Sequence, residues 1–196
     1  GGPYVALYYH GTFTDCSALT EVILPKNLIS VGAYAFEGCS ALTSITIPNS
    51  VVIIEDYAFN DCSSLTSVTL PNSLTSIGEA TFSDCSSLTL ITIPANVNNI
   101  EERAFNDCSS LTSIIWNAMY CGDFIYYYSD GRKDPRSRFE GCPITSVTFG
   151  DNVEYIPGAL CYQMTDIQSI ELPENVYSIG DYAFYKCERL SDINIP

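Results

Sequence analysis

Hydrophobic and polar positions along this chain repeat with a period of 23 residues between Phe13 and Phe105. Each unit carries Phe, then Cys three residues on, Leu three after that, and an aliphatic or β-branched pair closed by Pro. Phe36-Glu37-Gly38-Cys39-Ser40-Ala41-Leu42-Thr43-Ser44-Ile45-Thr46-Ile47-Pro48 aligns with Phe59-Asn60-Asp61-Cys62-Ser63-Ser64-Leu65-Thr66-Ser67-Val68-Thr69-Leu70-Pro71 without a gap. Self-similarity at this spacing is the mark of a stacked array, in which each unit buries its apolar face only against its neighbours.

Within a unit, Leu65-x-x-Val68-x-Leu70 alternates apolar and polar side chains around Thr69, which predicts one short strand with one buried side. Pro71 lacks an N–H and ends the ladder, and Asn72-Ser73 supplies turn chemistry. The spacing of Leu74, Ile77 and Phe82 then predicts a short helical, 3₁₀ or irregular return segment rather than a second strand. The fold class is therefore an α/β-type repeat solenoid with one short parallel strand per repeat of about 23 residues. It forms a single unit over 1–196: repeats 13–35, 36–58, 59–81, 82–104, 105–138 with an insertion, 139–160 and 161–183, with partial units at 1–12 and 184–196. The first partial unit rests on Val5, Tyr8 and Phe13, which match the spacing of Val51, Ile54 and Phe59.

Strand positions that point away from the core are Glu21 and Ile23, Ser44 and Thr46, Ser67 and Thr69, Leu90 and Thr92, Ser113 and Ile115, Ser146 and Thr148, and Ser169 and Glu171. They make a concave face of small hydroxyls with acidic ends. Ser67, Thr69, Thr92, Ser113 and Thr148 are candidate contacts for a partner held by hydrogen bonds.

Seven of the nine cysteines, Cys16, Cys39, Cys62, Cys85, Cys108, Cys142 and Cys187, occupy one repeat position. Equivalent thiols offer no unique disulfide partner, and a free Cys packs as a small hydrophobe with a weak S–H donor. Met164 takes the same slot in the unit beginning at 161, which packing permits and ligation does not. Cys121 and Cys161 lie off this ladder, and two readings stand for them: a disulfide between them, or separate packing. Ahead of the ladder cysteines come Asp15, Gly38, Asp61, Asp84, Asp107 and Gly141, residues that tolerate left-handed backbone. The row Asp61, Asp84 and Asp107 admits a weak Ca²⁺ reading, but no unit shows the dense oxygen-ligand spacing of a calcium loop.

The unit 105–138 adds 11 residues, placed within 116–128 and followed by a charged turn over 129–138. Trp116 takes the slot of Leu70 and belongs to the core. Tyr126, Tyr127 and Tyr128 are consecutive, so any extended or helical path exposes at least one of them. With Phe124 they are candidate binding residues, since aromatics concentrate at binding hot spots; the other reading packs the loop onto the coil. Arg132, Lys133, Arg136 and Arg138, interrupted by Asp134 and Pro135, read as a solvated loop.

Charge removes several function classes. The formal net charge of −15, from 23 acids against 8 bases, opposes the counterion-release attraction that drives nucleic-acid binding. A mean hydropathy of +0.12 and 46% hydrophobic residues supply an ordered core, yet no apolar run approaches the roughly 18 residues that span a membrane. The only histidine is His10, and no nucleophile elbow, zinc-protease, P-loop or dinucleotide motif is present. The chain is not read as an enzyme, and no cofactor or metal site is expected. It opens Gly-Gly-Pro and stops at Pro196 directly after a strand pattern, and so reads as a piece of a longer protein. A parallel-strand edge at Asp192-Ile193-Asn194-Ile195 invites end-to-end self-association.

The unit F-x-x-C-x-x-L-T-S-[IV]-T-[IL]-P-x-x-[VL]-x-x-I-G-x-x-A-F resembles the BspA-like leucine-rich repeats of bacterial cell-surface proteins, over essentially the whole chain. Ile115-Trp116-Asn117-Ala118, and the run from Thr148 to Pro157 with Leu160-Cys161, look like a variant module of the same family. The resemblance implies a right-handed leucine-rich-repeat coil, export, and attachment to host matrix proteins or other cells. It carries over no catalytic residue and no defined binding motif. The expected role is a non-catalytic extracellular or cell-surface module that binds a host protein, matrix component or glycan. The alternative is a structural spacer that displays another part of a larger surface protein.

Overall fold

The computed structural model describes residues 11–196. The half unit expected over 1–12, with Val5, Tyr8 and His10, lies outside the described residues except for its last two positions.

Parallel strands form where the L-x-x-[IV]-x-[IL] pattern places them: Ser44–Thr46, Ser67–Thr69, Leu90–Ile93, Ser113–Trp116, Ser146–Phe149, Ser169–Glu171 and Asp192–Asn194. Their register is one repeat per rung, with Ser44 opposite Ser67 and Leu90 opposite Ser113, which in turn faces Ser146. Period-two alternation buries Ile45, Ile91, Ile114, Val147 and Ile170 and turns their neighbours outward. The first expected strand does not form: residues 20–24 pair with nothing as a strand, and Ile23 is 89% exposed.

The return segments depart from expectation. Among the described residues there is no helix. Each regular repeat instead contributes a second, two-residue strand, at Ser30–Val31, Ile53–Ile54, Ser76–Ile77, Asn99–Ile100, Tyr155–Ile156 and Ser178–Ile179. These also pair in parallel from rung to rung, as Ser30 with Ile53 and Ile53 with Ser76. Leu74 and Ile77 are both fully buried, but their spacing comes from a bend entering a short strand rather than from one face of a helix.

Between the second strand and the ladder cysteine, backbone donors alternate between two kinds of acceptor. The N–H groups of Tyr57, Phe59 and Asp61 reach the next rung at Glu79, Thr81 and Ser83 (2.8–2.9 Å), while those of Ala58, Asn60 and Cys62 close local turns three residues back. A helix would spend every donor within its own segment; here half of them are committed to the neighbour. The alternation needs left-handed backbone at two places per turn. One is the expected position, Asp15, Gly38, Asp61, Asp84, Asp107 and Gly141, joined in the last two turns by Gln163 and Lys186, at φ 55–78°. The other, four residues earlier, holds Tyr34, Tyr57, Ala80, Arg103, Ala159 and Tyr182 at φ 48–60°. Side chains pay a strain cost there, and the inter-rung bonds hold them in place. A Cβ on Gly141 would lie 2.3 Å from the Asp107 carboxylate of the rung before.

Two side-chain columns fill the coil. Phe13, Phe36, Phe59, Phe82, Phe105 and Phe139 stack face to face with centroids 5.0–5.4 Å apart. Beside them the thiols of Cys39, Cys62, Cys85, Cys108 and Cys142 donate to the carbonyls of Phe13, Phe36, Phe59, Phe82 and Phe105 at 3.0–3.3 Å. Cys187 does the same toward Cys161. All nine cysteines are free, Cys121 and Cys161 included. Burial is graded along the ladder: Cys16 is exposed and Cys142 half-buried, the others buried. Desolvation raises the Cys62 thiol to about 12 and pushes Cys85 well above its ordinary value of 9.0. A folded pKa raised above the unfolded one stabilises the fold below pH 9.0, and that contribution is lost as pH rises beyond it.

Truncating a ring in mid-column leaves a cavity that its stacked neighbours cannot fill. Phe59→Ala is expected to cost about 3–5 kcal/mol in urea unfolding. Phe13→Ala, at a ring already 40% exposed, should cost less than half as much.

Candidate binding surfaces around the inserted hairpin

The extra residues of unit 105–138 leave the coil within a turn. Phe124 N–H donates to Gly158 O, as Tyr34 N–H does to Asp56 O, and Asp123 Oδ1 accepts from Gly158 N as Asp56 Oδ1 does from Glu79 N. Asp123 and Phe124 thus hold ordinary turn slots. The chain then runs out as Ile125–Tyr127, turns, and returns antiparallel as Lys133–Pro135, with Tyr127 opposite Lys133 and Ile125 opposite Pro135. Phe139 resumes the ring column.

Anchors hold the hairpin on both sides. Phe124 is 1% exposed, edge-on to the fully buried Trp116 with the Arg138 guanidinium 4.9 Å over its ring. Its expected role as a contact residue is therefore corrected: its ring is core. The Tyr155 hydroxyl donates to Asp123, and burial with this bond raises the tyrosine's pKa. Lys133 pairs with Asp181, and Arg136 bridges Asp134 (2.7 Å) and Glu102 (3.1 Å).

Arg138 has a role that residue type did not signal. In regular rungs a backbone N–H covers the second-strand carbonyl of the preceding rung: Glu55 covers Val31, Gly78 covers Ile54, and Glu101 covers Ile77. The segment from Trp116 to Cys121 is shorter than its counterpart from Ile93 to Ile100, and Gly122 N–H is drawn to Asn98 O instead. Arg138 Nε fills the gap, donating to Ile100 O at 2.9 Å. Desolvation lowers its pKa. The four bases read as a solvated loop are thus each engaged: Arg132 binds Asp130 and lies 4.6 Å from the Tyr128 ring centroid, and the other three are anchors.

Tyr126 and Tyr127 are 53% and 54% exposed, and Tyr128 is half-buried, edge-on to Tyr126 and bonded to Asp134. On the strand face, Ser67, Thr69, Thr92 and Thr148 are exposed and Ser113 is half-buried, and none of these hydroxyls has a hydrogen-bond partner among the described residues. The column beside them differs, with Thr66 and Thr145 spending their hydroxyls on the Thr43 and Thr112 carbonyls of the preceding rung. Leu90, 43% exposed, adds an apolar point to the face. Asp61, Asp84 and Asp107 are exposed, and among the described residues no three His, Cys, Asp or Glu groups converge as a metal site.

A parallel-strand β-solenoid of about seven turns, built on this strand pattern, defines a leucine-rich-repeat protein. The family described as BspA type Leucine rich repeat region matches residues 9–130 and 135–196 in 6 copies, and the chain belongs to that family. The fold is similar to that of a leucine-rich repeat protein from Bacteroides ovatus, at 30% identity and a TM-score of 0.60, over 96% of this chain and 40% of that one. It is also similar to a T. pallidum leucine-rich repeat protein, at 28% identity and a TM-score of 0.59, over 93% of this chain and 70% of that one. The pneumococcal vaccine antigen PcpA, 19% identical with a TM-score of 0.52 over 88% of this chain and 40% of its own, shares the fold alone. This chain spans 40% of the length of the B. ovatus protein. No curated protein matches the sequence.

Because a charged donor is replaced at a buried carbonyl, Arg138→Met is expected to cost about 1.5–3 kcal/mol of stability in chemical denaturation. Arg132→Ala, whose side chain is 71% exposed, should change it by no more than about 0.5 kcal/mol.

Proposed function

We propose that this chain is a non-catalytic binding segment of an exported surface protein, which engages a protein or glycan through the hairpin tyrosines Tyr126 and Tyr127, backed by the hydroxyl face. Proteins of the BspA-type leucine-rich-repeat family are often surface proteins, and arrays of this kind are typically non-catalytic. The observation that carries the reading is the hairpin itself. In an array whose rungs are otherwise nearly alike, one turn projects two half-exposed aromatic rings on a strand pair whose insertion is anchored to the coil at Ile100, Glu102, Tyr155 and Asp181. Rigid aromatics contribute contact area at small entropic cost, which makes them frequent hot spots.

The uncommitted hydroxyls of Ser67, Thr69, Thr92, Ser113 and Thr148 support a broad polar contact on the strand face. The rival role, a spacer that displays another part of a longer protein, draws on the near-uniformity of that face along the rungs.

The test is a panel of matrix proteins and immobilised glycans probed with the wild-type chain and with a Tyr126→Ser, Tyr127→Ser double variant. Deleting the whole insertion would remove Asp123 and Phe124 and confound binding with folding. A partner bound by wild type should lose at least about tenfold in affinity to the variant, a change of ~1.4 kcal/mol. Equal binding by both would remove the hairpin from the contact, and no partner at all would favour the spacer.

A further inference from the structure

The regular stack parts at one place on its turn side. Every other turn from 34–38 onward whose successor is described gives backbone N–H groups to the next, yet among the described residues no backbone hydrogen bond joins 137–142 to 159–164. The ring column also stops there, since Cys161 stands where the next Phe would stack on Phe139. Between these two turns and the foot of the hairpin lies a cavity of about 400 Å³, within the range of small-molecule sites.

We infer that this cavity is a binding site for a neutral hexose unit, an inference that rests on the binding-module reading and gives it a second, separate site. The walls present Glu102, Asn106, Arg136, Glu140 and Gln163, planar polar groups that donate and accept side by side. Vicinal sugar hydroxyls, each able to do both, match that arrangement. The Asn106 side chain belongs to the same wall, with its Oδ1 buried and without a hydrogen-bond partner among the described residues. Tyr162, held by stacking on Tyr185 at 5.4 Å, adds a flat ring against which the C–H face of a pyranose rests. An anionic ligand fits less well. The carboxylates of Glu102 and Glu140 face it, and Arg136 already bridges Glu102 and Asp134.

Calorimetry and saturation-transfer NMR with glucose, galactose, mannose and N-acetylglucosamine, set beside glucuronate and inorganic phosphate, test the site. One neutral sugar should bind with Kd on the order of 1 mM. Affinity should fall at least tenfold in Tyr162→Ala and in Gln163→Gly, the latter keeping the left-handed backbone at φ 62° and so the fold. The Tyr126→Ser, Tyr127→Ser variant should bind the sugar as wild type does. Binding of none of the four sugars, tighter binding of glucuronate or phosphate, or undiminished binding by the cavity variants would overturn the inference. Loss of sugar binding in the hairpin variant alone would also overturn it, by moving the site to the hairpin while leaving the binding-module reading in place.

Discussion

Half of the backbone donors in each regular turn are spent on the rung that follows, and most other features of the molecule answer to that commitment. The bonds from Tyr57, Phe59 and Asp61 to Glu79, Thr81 and Ser83 fix the rung spacing on the turn side. At that spacing a column of phenylalanines stacks face to face and a thiol reaches the carbonyl of the ring one rung back. In the regular turns these bonds go with left-handed backbone at two positions, one of them filled by Asp or Gly in most rungs, where Gly38 and Gly141 lie close to the carboxylates of Asp15 and Asp107. Stability in such a stack is shared between neighbours and is not a property of any single rung.

Interrupting the commitment is what creates distinct surface. The short segment before the insertion draws Gly122 N–H to Asn98 O, so the carbonyl of Ile100 loses its usual backbone donor and Arg138, where the chain returns, supplies a charged substitute. That places a guanidinium over Phe124, and ion pairs from Lys133 and Arg136 fasten the strand pair beyond it. The consequence appears one rung later, where among the described residues two turns share no backbone bond and a polar cavity opens beside Asn106. Projecting tyrosines and the cavity are thus two outcomes of one insertion.

Period, the main strands from Ser44 onward, and the recurring Phe and Cys columns were legible in the sequence, because each depends on a residue type recurring at one slot. The left-handed site at Asp61 and Gly38 was legible for the same reason. Its companion was not: Tyr34, Ala80 and Arg103 share no chemistry that marks a positive φ, and only the inter-rung bonds impose it. The spacing of Leu74, Ile77 and Phe82 pointed to a helical, 3₁₀ or irregular return rather than a second strand, yet a bend into a two-residue strand reproduces the same spacing. In the insertion, three adjacent tyrosines announced exposure correctly for Tyr126 and Tyr127, whereas Phe124 was misplaced because nothing local shows that it keeps a turn slot. Asp123 had a signal that went unread, its equivalence to Asp56. Arg138 had none, since its partner is a carbonyl 38 residues away.

Native-state hydrogen exchange across the central rungs tests the dependence on inter-rung bonds most directly. The account predicts that the amides of Tyr57, Phe59, Asp61 and Phe82 are protected as strongly as those of the Leu90–Ile93 strand and open together with it. Rapid exchange of these four amides while the strand stays protected would contradict it, because the turns would then be hanging on the sheet and not holding the stack.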